Sequence, residues 1–236
     1  MSGEELKRIS GVFSARDLMT PVNQLKRADT VEQAEQLFYE YDVVPYPIAG
    51  EINGFFEREE ANKASIKPEV LLSAGTSIFE VLQLLNQNKF YFVISGNRIV
   101  GYIHFSDFNR SITKIPFFWL LQTVEKGLWG TIQDRISEED LRRIFTEHDT
   151  KGFIKKREIN RKGNVDVGWA GVFTFPFILK LAKLYGQIDL PPDEINLLKE
   201  TRNKVAHSDR VILSSYNDVR KVTRAYEICQ SLIAQI

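Results

Sequence analysis

The chain of 236 residues has a single cysteine, Cys229. A lone thiol excludes an intramolecular disulfide framework and fits a reducing compartment. No apolar run approaches the roughly 20 residues that a membrane-spanning helix needs. The opening residues, Met1-Ser2-Gly3-Glu4-Glu5, lack the basic start of a signal peptide. A soluble, cytoplasmic protein is the expectation. Net charge is absent as well, since 31 Lys and Arg balance 31 Asp and Glu. That balance hides an asymmetry. Residues 1–112 hold 11 basic against 15 acidic residues (11 − 15 = −4), leaving 20 against 16 (20 − 16 = +4) for residues 113–236. A polyanion should therefore meet the C-terminal half first. What is present in quantity is apolar material. At 43% hydrophobic with 16 Phe, the chain can fill the cores of two modest domains or one large one.

The first half repeats itself at an offset of 47 residues. Thr30-Val31 answers Ser77-Ile78 (77 − 30 = 47), and Gly54 answers Gly101 (101 − 54 = 47). Each copy opens with a polar N-cap and an amphipathic helix, whose apolar positions are Val31, Ala34, Leu37 and Phe38, then Ile78, Val81, Leu84 and Leu85. Short strands follow over 43–48 and 90–94, then tight turns at Ala49-Gly50-Glu51 and Ser95-Gly96-Asn97-Arg98. Each turn leads into a second strand through the matching glycine. Repetition with matched caps, turns and glycines marks two copies of one unit.

These residues resemble a tandem pair of cystathionine-β-synthase (CBS) domains. The resemblance is carried by Ser14 to Pro21, by Thr30 with its helix, and by Gly101 to Phe108, and it covers about residues 8 to 112. Repeat 1 would span about 8–64 and repeat 2 about 65–112. The resemblance implies a compact module with two clefts able to hold an adenine nucleotide (AMP, ADP or ATP) as a regulatory ligand. The family signature places an Asp on the ribose hydroxyls and a Thr or Ser on phosphate. In the second copy Asp107 takes the first role, with His104 at the usual Thr place and Ser106 beside the Asp. The first copy has Glu57 and Glu60 in the two key places, where carboxylates repel phosphate. A structural pair without ligand is the competing reading, with His104 as a hydrogen-bonded structural residue.

Residues 113–236 read as an all-α bundle of about five helices, giving the whole an α+β class. Pro116 suits the first turn of a helix carrying Phe117, Leu120, Leu121, Val124 and Leu128. Ser137 to Asp140 cap a short helix over 141–145. A basic, glycine-punctuated connector comes next, followed by apolar residues 173–185, a helix opening at Pro191, and a last helix over 216–236. Within the connector, Glu147 to Glu158 mimics a calcium loop, with Gly152 sixth and Glu158 twelfth. Lys151 stands where a ligand oxygen is needed, and Lys155, Lys156 and Arg157 repel a cation, so calcium is not expected. The basic cluster Lys155 to Arg157 with Arg161 and Lys162, beside Phe153 and Trp169, leaves two readings open. It tracks a phosphate backbone with its aromatics stacked on bases, or it is a solvated connector whose aromatics pack inward.

The richest segment is Arg202 to His207, at the end of the Pro191 helix. Continued helix puts Asn203 and His207 four apart on one face. A guanidinium that grips phosphate beside an imidazole that moves protons is a minimal kit for phosphodiester cleavage. In an all-α setting, Arg202-Asn203 followed by His207 and a further long helix resembles the HEPN superfamily (higher-eukaryote and prokaryote nucleotide-binding). That resemblance covers about 115–236. It implies a metal-independent endoribonuclease acting on single-stranded RNA as a homodimer, with Arg202, Asn203 and His207 catalytic and half of the site in each protomer. The polar Asn203 resembles the catalytic members; the alternative is a non-catalytic dimerisation or partner-binding domain attached to the nucleotide sensor. The Tyr found two residues after the His in one toxin subset is replaced by Asp209. A pure energy sensor binding another protein, and a phosphodiesterase for a small cyclic nucleotide, are further alternatives.

Overall fold

The computed structural model describes residues 11–48, 51–59, 63–163, 168–169 and 171–236. They form two units. One comprises residues 11–114 with Ile212–Thr223, and the other Ile115–Val211 with Arg224–Ile236. The class is mixed α+β, with a strand-rich N-terminal region and a helical C-terminal part. No helix among the described residues is long and apolar enough to cross a membrane.

In the strand-rich unit the chain runs α1 (Ala15–Leu18), β1 (Thr20–Pro21), α2 (Val31–Leu37), β2 (Val43–Ile48), β3 (Glu51–Glu57) and β4 (Lys63–Ser65). It continues with β5 (Leu71–Ser73), α3 (Ile78–Leu84), β6 (Phe90–Ser95) and β7 (Arg98–His104). The caps expected at Thr30 and Ser77 are formed: their hydroxyls accept from Gln33 and Glu80 backbone N–H, each at 3.3 Å. Ala34, Ile78, Val81 and Leu85 are buried, as the helical spacing predicts.

The two repeats exchange their leading strands. One sheet has the order β1-β7-β6-β5 and the other β2-β3-β4. Thus β1, which precedes the first repeat's helix, pairs antiparallel with β7 of the second, setting Pro21 against Gly101. Conversely β4 pairs with β3 of the first repeat, setting Ser65 against Gly54. The matching glycines have a physical cause. A Cβ on Gly101 would lie 2.9 Å from the Thr20 carbonyl oxygen and collide with Met19. On Gly54 it would lie 2.5 Å from the Ala64 carbonyl oxygen and collide with Tyr46. Both hairpins also carry an irregularity at the same repeat position, between Tyr46 and Pro47 and between Val93 and Ile94.

Symmetry fails at one edge. In the second repeat, β6 gains a parallel partner, β5, with Leu71 against Phe92 and Ser73 against Ile94. The first repeat has Pro45 and Pro47 at the places of Phe92 and Ile94 (92 − 45 = 47), and proline has no N–H to donate. Residues 24–26 therefore form no strand against β2, and Pro45 only accepts one bond from Ala28, at 3.1 Å.

Helices after β7 are α4 (Ser111–Ile132), α5 (Glu138–Ile144), α6 (Glu147–Lys162), α7 (Phe175–Leu184), α8 (Pro192–Ala206) and α9 (Asn217–Gln235). Apolar residues expected on α4 are buried: Phe117, Leu120, Leu121, Val124 and Leu128. The helix starts earlier than Pro116 predicts, so that proline lies inside it. The Thr113 hydroxyl, 2.6 Å from the Phe108 carbonyl and 2.7 Å from that of Arg110, secures the start. A larger correction concerns 147–162. The expected connector is a continuous helix, capped by Thr146 through the Asp149 N–H at 3.1 Å. Gly152 lies within it, so no calcium-loop geometry exists there.

Candidate functional site

In the strand-rich unit a cavity of about 380 Å³ opens where β7 ends. One wall is the turn over 105–109, which holds His104, Ser106 and Asp107 together on the cavity. The Asp107 carboxylate accepts the His104 backbone N–H at 2.8 Å, and the His104 ring Nδ1 lies 2.8 Å from the Ser106 hydroxyl. The opposite wall comes from the first repeat: Thr20, Gln24, Leu25 and Lys26, then Glu40 to Val43 and Pro45. The missing strand at 24–26 and the small Pro45 are what leave this space open.

Arg110 ties the two walls. Its guanidinium donates to the Leu18 carbonyl at 2.7 Å, the Met19 carbonyl at 3.1 Å and the Thr20 hydroxyl at 2.5 Å. It also pairs with Asp107 at 2.8 Å. Burial pushes the Asp107 carboxyl above its ordinary pKa, while the His104 N–H and Arg110 oppose that rise. His104 is pushed below the usual imidazole value, again by burial, with Asp42 opposing and Lys89 and Arg58 assisting. Its Nε2 stands 3.4 Å from the Asp42 carboxylate without forming a hydrogen bond. With the ring neutral, this is proximity rather than an ion pair.

The counterpart in the other repeat is narrowed to a cavity of about 170 Å³. Where the open cleft has Val43, Pro45 and Tyr102, the 47-residue offset gives Phe90, Phe92 and Phe55. Phe55 lies 5.2 Å from Phe90 and 5.7 Å from Phe92, and Tyr102 completes the cluster at 5.7 and 5.5 Å. Lys89 pairs with Glu59 at 2.6 Å across the rim. Glu57 lies on the small cavity beside them, and Glu60 falls outside the described residues. Aromatic volume, as much as the repulsion expected from Glu57, disfavours a nucleotide there.

In the helical part, Arg202 and Asn203 are half-buried near the end of α8, and His207 is exposed. The helix ends at Ala206, and His207 is its C-cap with φ −106° and ψ 125°, an extended conformation. Asn203 and His207 therefore do not share a helical face. Ser208 and Asp209, which follow, are residues that favour turns over helix. A group not foreseen from sequence feels the Arg202 charge: Glu125 of α4, whose carboxyl pKa is raised by burial and lowered by that charge, burial prevailing.

The basic cluster on α6 resolves toward inward-packed aromatics. Phe153 and Trp169 are buried. Phe153 packs on Phe145, Phe173 and Phe177 at 5.2, 5.0 and 4.9 Å. Trp169 stacks on Phe173 at 5.6 Å and lies under the Arg157 guanidinium at 4.3 Å. Neither ring is presented for base stacking.

Residues 63–114 match the CBS domain family, so the chain contains a CBS domain. Among solved structures, the CBS domain of a bacterial CNNM/CorC family Mg2+ transporter, in complex with an inhibitor, is similar over 44% of this chain and 77% of that one. Its identity is 16% and its TM-score 0.34. Hypoxic Response Protein I, with two coordinated zinc ions, is similar over 41% of this chain and 96% of that one, with 22% identity and TM-score 0.32. No curated protein matches the chain.

Asp107, Ser106 and His104 were legible because they are contiguous. Lys26, Asp42 and Arg110 were missed. The first two reach the cleft only through the strand exchange, although two prolines in a predicted strand are a signal for an unpaired edge.

Proposed function

We propose that this chain is an adenine-nucleotide-regulated, metal-independent endoribonuclease that acts on single-stranded RNA as a homodimer. The observation that carries the reading is the helix end that holds Arg202 and Asn203 half-buried and leaves His207 exposed just beyond it. His207 takes the proton as an RNA 2′-hydroxyl attacks the adjacent phosphorus, and the P–O5′ bond breaks. The products are a 2′,3′-cyclic phosphate and a 5′-hydroxyl, the latter receiving a proton from an imidazolium. Arg202 stabilises charge on the phosphoryl oxygens, and Asn203 orients the phosphate or the ring. One motif supplies one imidazole for two proton transfers, which is why a second copy of the chain is required. The CBS domain, of a family that generally binds adenine nucleotides, supplies the regulatory ligand site at Asp107, Ser106 and His104. Ligand changes activity to the extent that it binds active and inactive arrangements unequally.

A second reading is favoured by Glu125. The half-buried Glu125 carboxyl feels the Arg202 charge, which suits a structural role for that guanidinium, as in a non-catalytic dimerisation or partner-binding domain. An RNA-cleavage assay in EDTA, with and without AMP, decides between them. Wild type should yield cyclic phosphate ends, and His207→Ala should lose about 10²–10⁴-fold in rate with dimerisation intact. Cleavage unaffected by both Arg202→Ala and His207→Ala overturns the mechanism; intact RNA with the wild type supports the second reading.

A further inference from the structure

Resting on the reading of the open cleft as a nucleotide site, we propose that it takes a nucleoside or nucleoside monophosphate and turns away polyphosphates, with Glu40 and Asp42 as the discriminating residues. Few cations face the cavity. Arg110 lines the cavity, but its guanidinium is engaged by two carbonyls, the Thr20 hydroxyl and Asp107. Lys26 is the other Lys or Arg on the lining. His104 is held toward its neutral form by burial. One ammonium with the Thr20 and Ser106 hydroxyls suffices for a single phosphate.

Against these stand two carboxylates. Glu40 and Asp42 lie on the lining, in the turn that follows α2, where the Glu40 and Tyr41 N–H groups still bond to the Leu37 carbonyl at 3.0 Å. Asp42 pairs with Arg58 at 2.9 Å, and both side chains remain 42% exposed, so the pair is screened rather than buried. On the lining, Lys26 and Arg110 thus face Glu40, Asp42 and Asp107, and the cleft has no excess positive charge to offset the desolvation of a polyphosphate. These two carboxylates have no counterparts in the other cleft, where the 47-residue offset replaces Glu40 by Gln87 and Asp42 by Lys89.

Titration calorimetry of the full chain with adenosine, AMP, ADP and ATP, in EDTA and again with Mg2+, tests this. In EDTA, AMP should bind about tenfold or more tightly than ATP, with ADP between. The double variant Glu40→Gln/Asp42→Asn should narrow that gap about fivefold or more, chiefly by gaining affinity for ATP. ATP binding as tightly as AMP to the wild type in EDTA, or a gap unchanged in the double variant, overturns the discrimination while leaving a nucleotide site in place. Failure of all four compounds to bind overturns the nucleotide reading itself, and the inference with it.

Discussion

His104 is a base that its surroundings hold neutral. Its pKa is lower in the folded protein than in the unfolded chain because burial penalises the imidazolium more than Asp42 repays. The unfolded chain therefore takes up the proton first. The stability this gives is complete above the unfolded value of about 6.5 and is lost as pH falls through the lower folded value. Asp107 acts in the opposite sense, its raised pKa making ionisation a cost as pH rises through the carboxylate range. Melting temperature measured from pH 8 to pH 5 should fall more steeply for wild type than for His104→Gln, which cannot titrate. Parallel curves would show that the imidazole carries no such linkage. At this scale the sequence was half legible. His104, Ser106 and Asp107, named from one short stretch, line one cavity, whereas the acidic and basic groups facing them come from Lys26 and Glu40 to Asp42, far away in the chain.

Elements follow the 47-residue repeat wherever local chemistry governs them: caps at Thr30 and Ser77, apolar helix faces, and hairpins with a shared irregularity. Local chemistry could not reveal which sheet a strand of two or three residues would join. Nor could it distinguish the helix over Glu147–Lys162 from a loop, because its glycine and many charges dilute the apolar period. The paired glycines now have a reason that can be measured. Gly101→Ala should destabilise by about 1–3 kcal/mol in chemical denaturation, through overpacking against Met19 and Thr20. Gly130→Ala, in helix α4 with nothing within 4 Å of its added Cβ, should stabilise by about 0.5–1 kcal/mol. Equal effects at the two positions would refute the close-approach argument. On α9, Cys229 is fully buried and its thiol is pushed up to about 12. It should resist a thiol reagent at pH 8 in the native protein and react stoichiometrically once denatured.

For the whole molecule, the proposed composite site makes a prediction that no single-chain enzyme would share. Adding inactive His207→Ala protomers to wild type should lower RNA cleavage by more than dilution alone, because a mixed dimer holds only one of the two imidazoles that the proton transfers need. Activity that falls only in proportion to dilution, despite exchange of protomers, would remove the shared-site proposal. The exchanged strands carry a different implication, one of time. Thr20 pairs with Tyr102, 102 − 20 = 82 residues later, so β1 has no partner until β7 has been made. At about 5–20 residues per second of synthesis, that wait is about 4–16 s. For that interval β1 and its glycine-matched seat exist on one chain but not yet at one moment. A chain cut between β3 and β4, after Glu57 and before Lys63, should therefore leave two fragments that each lack an edge strand and fold only when combined.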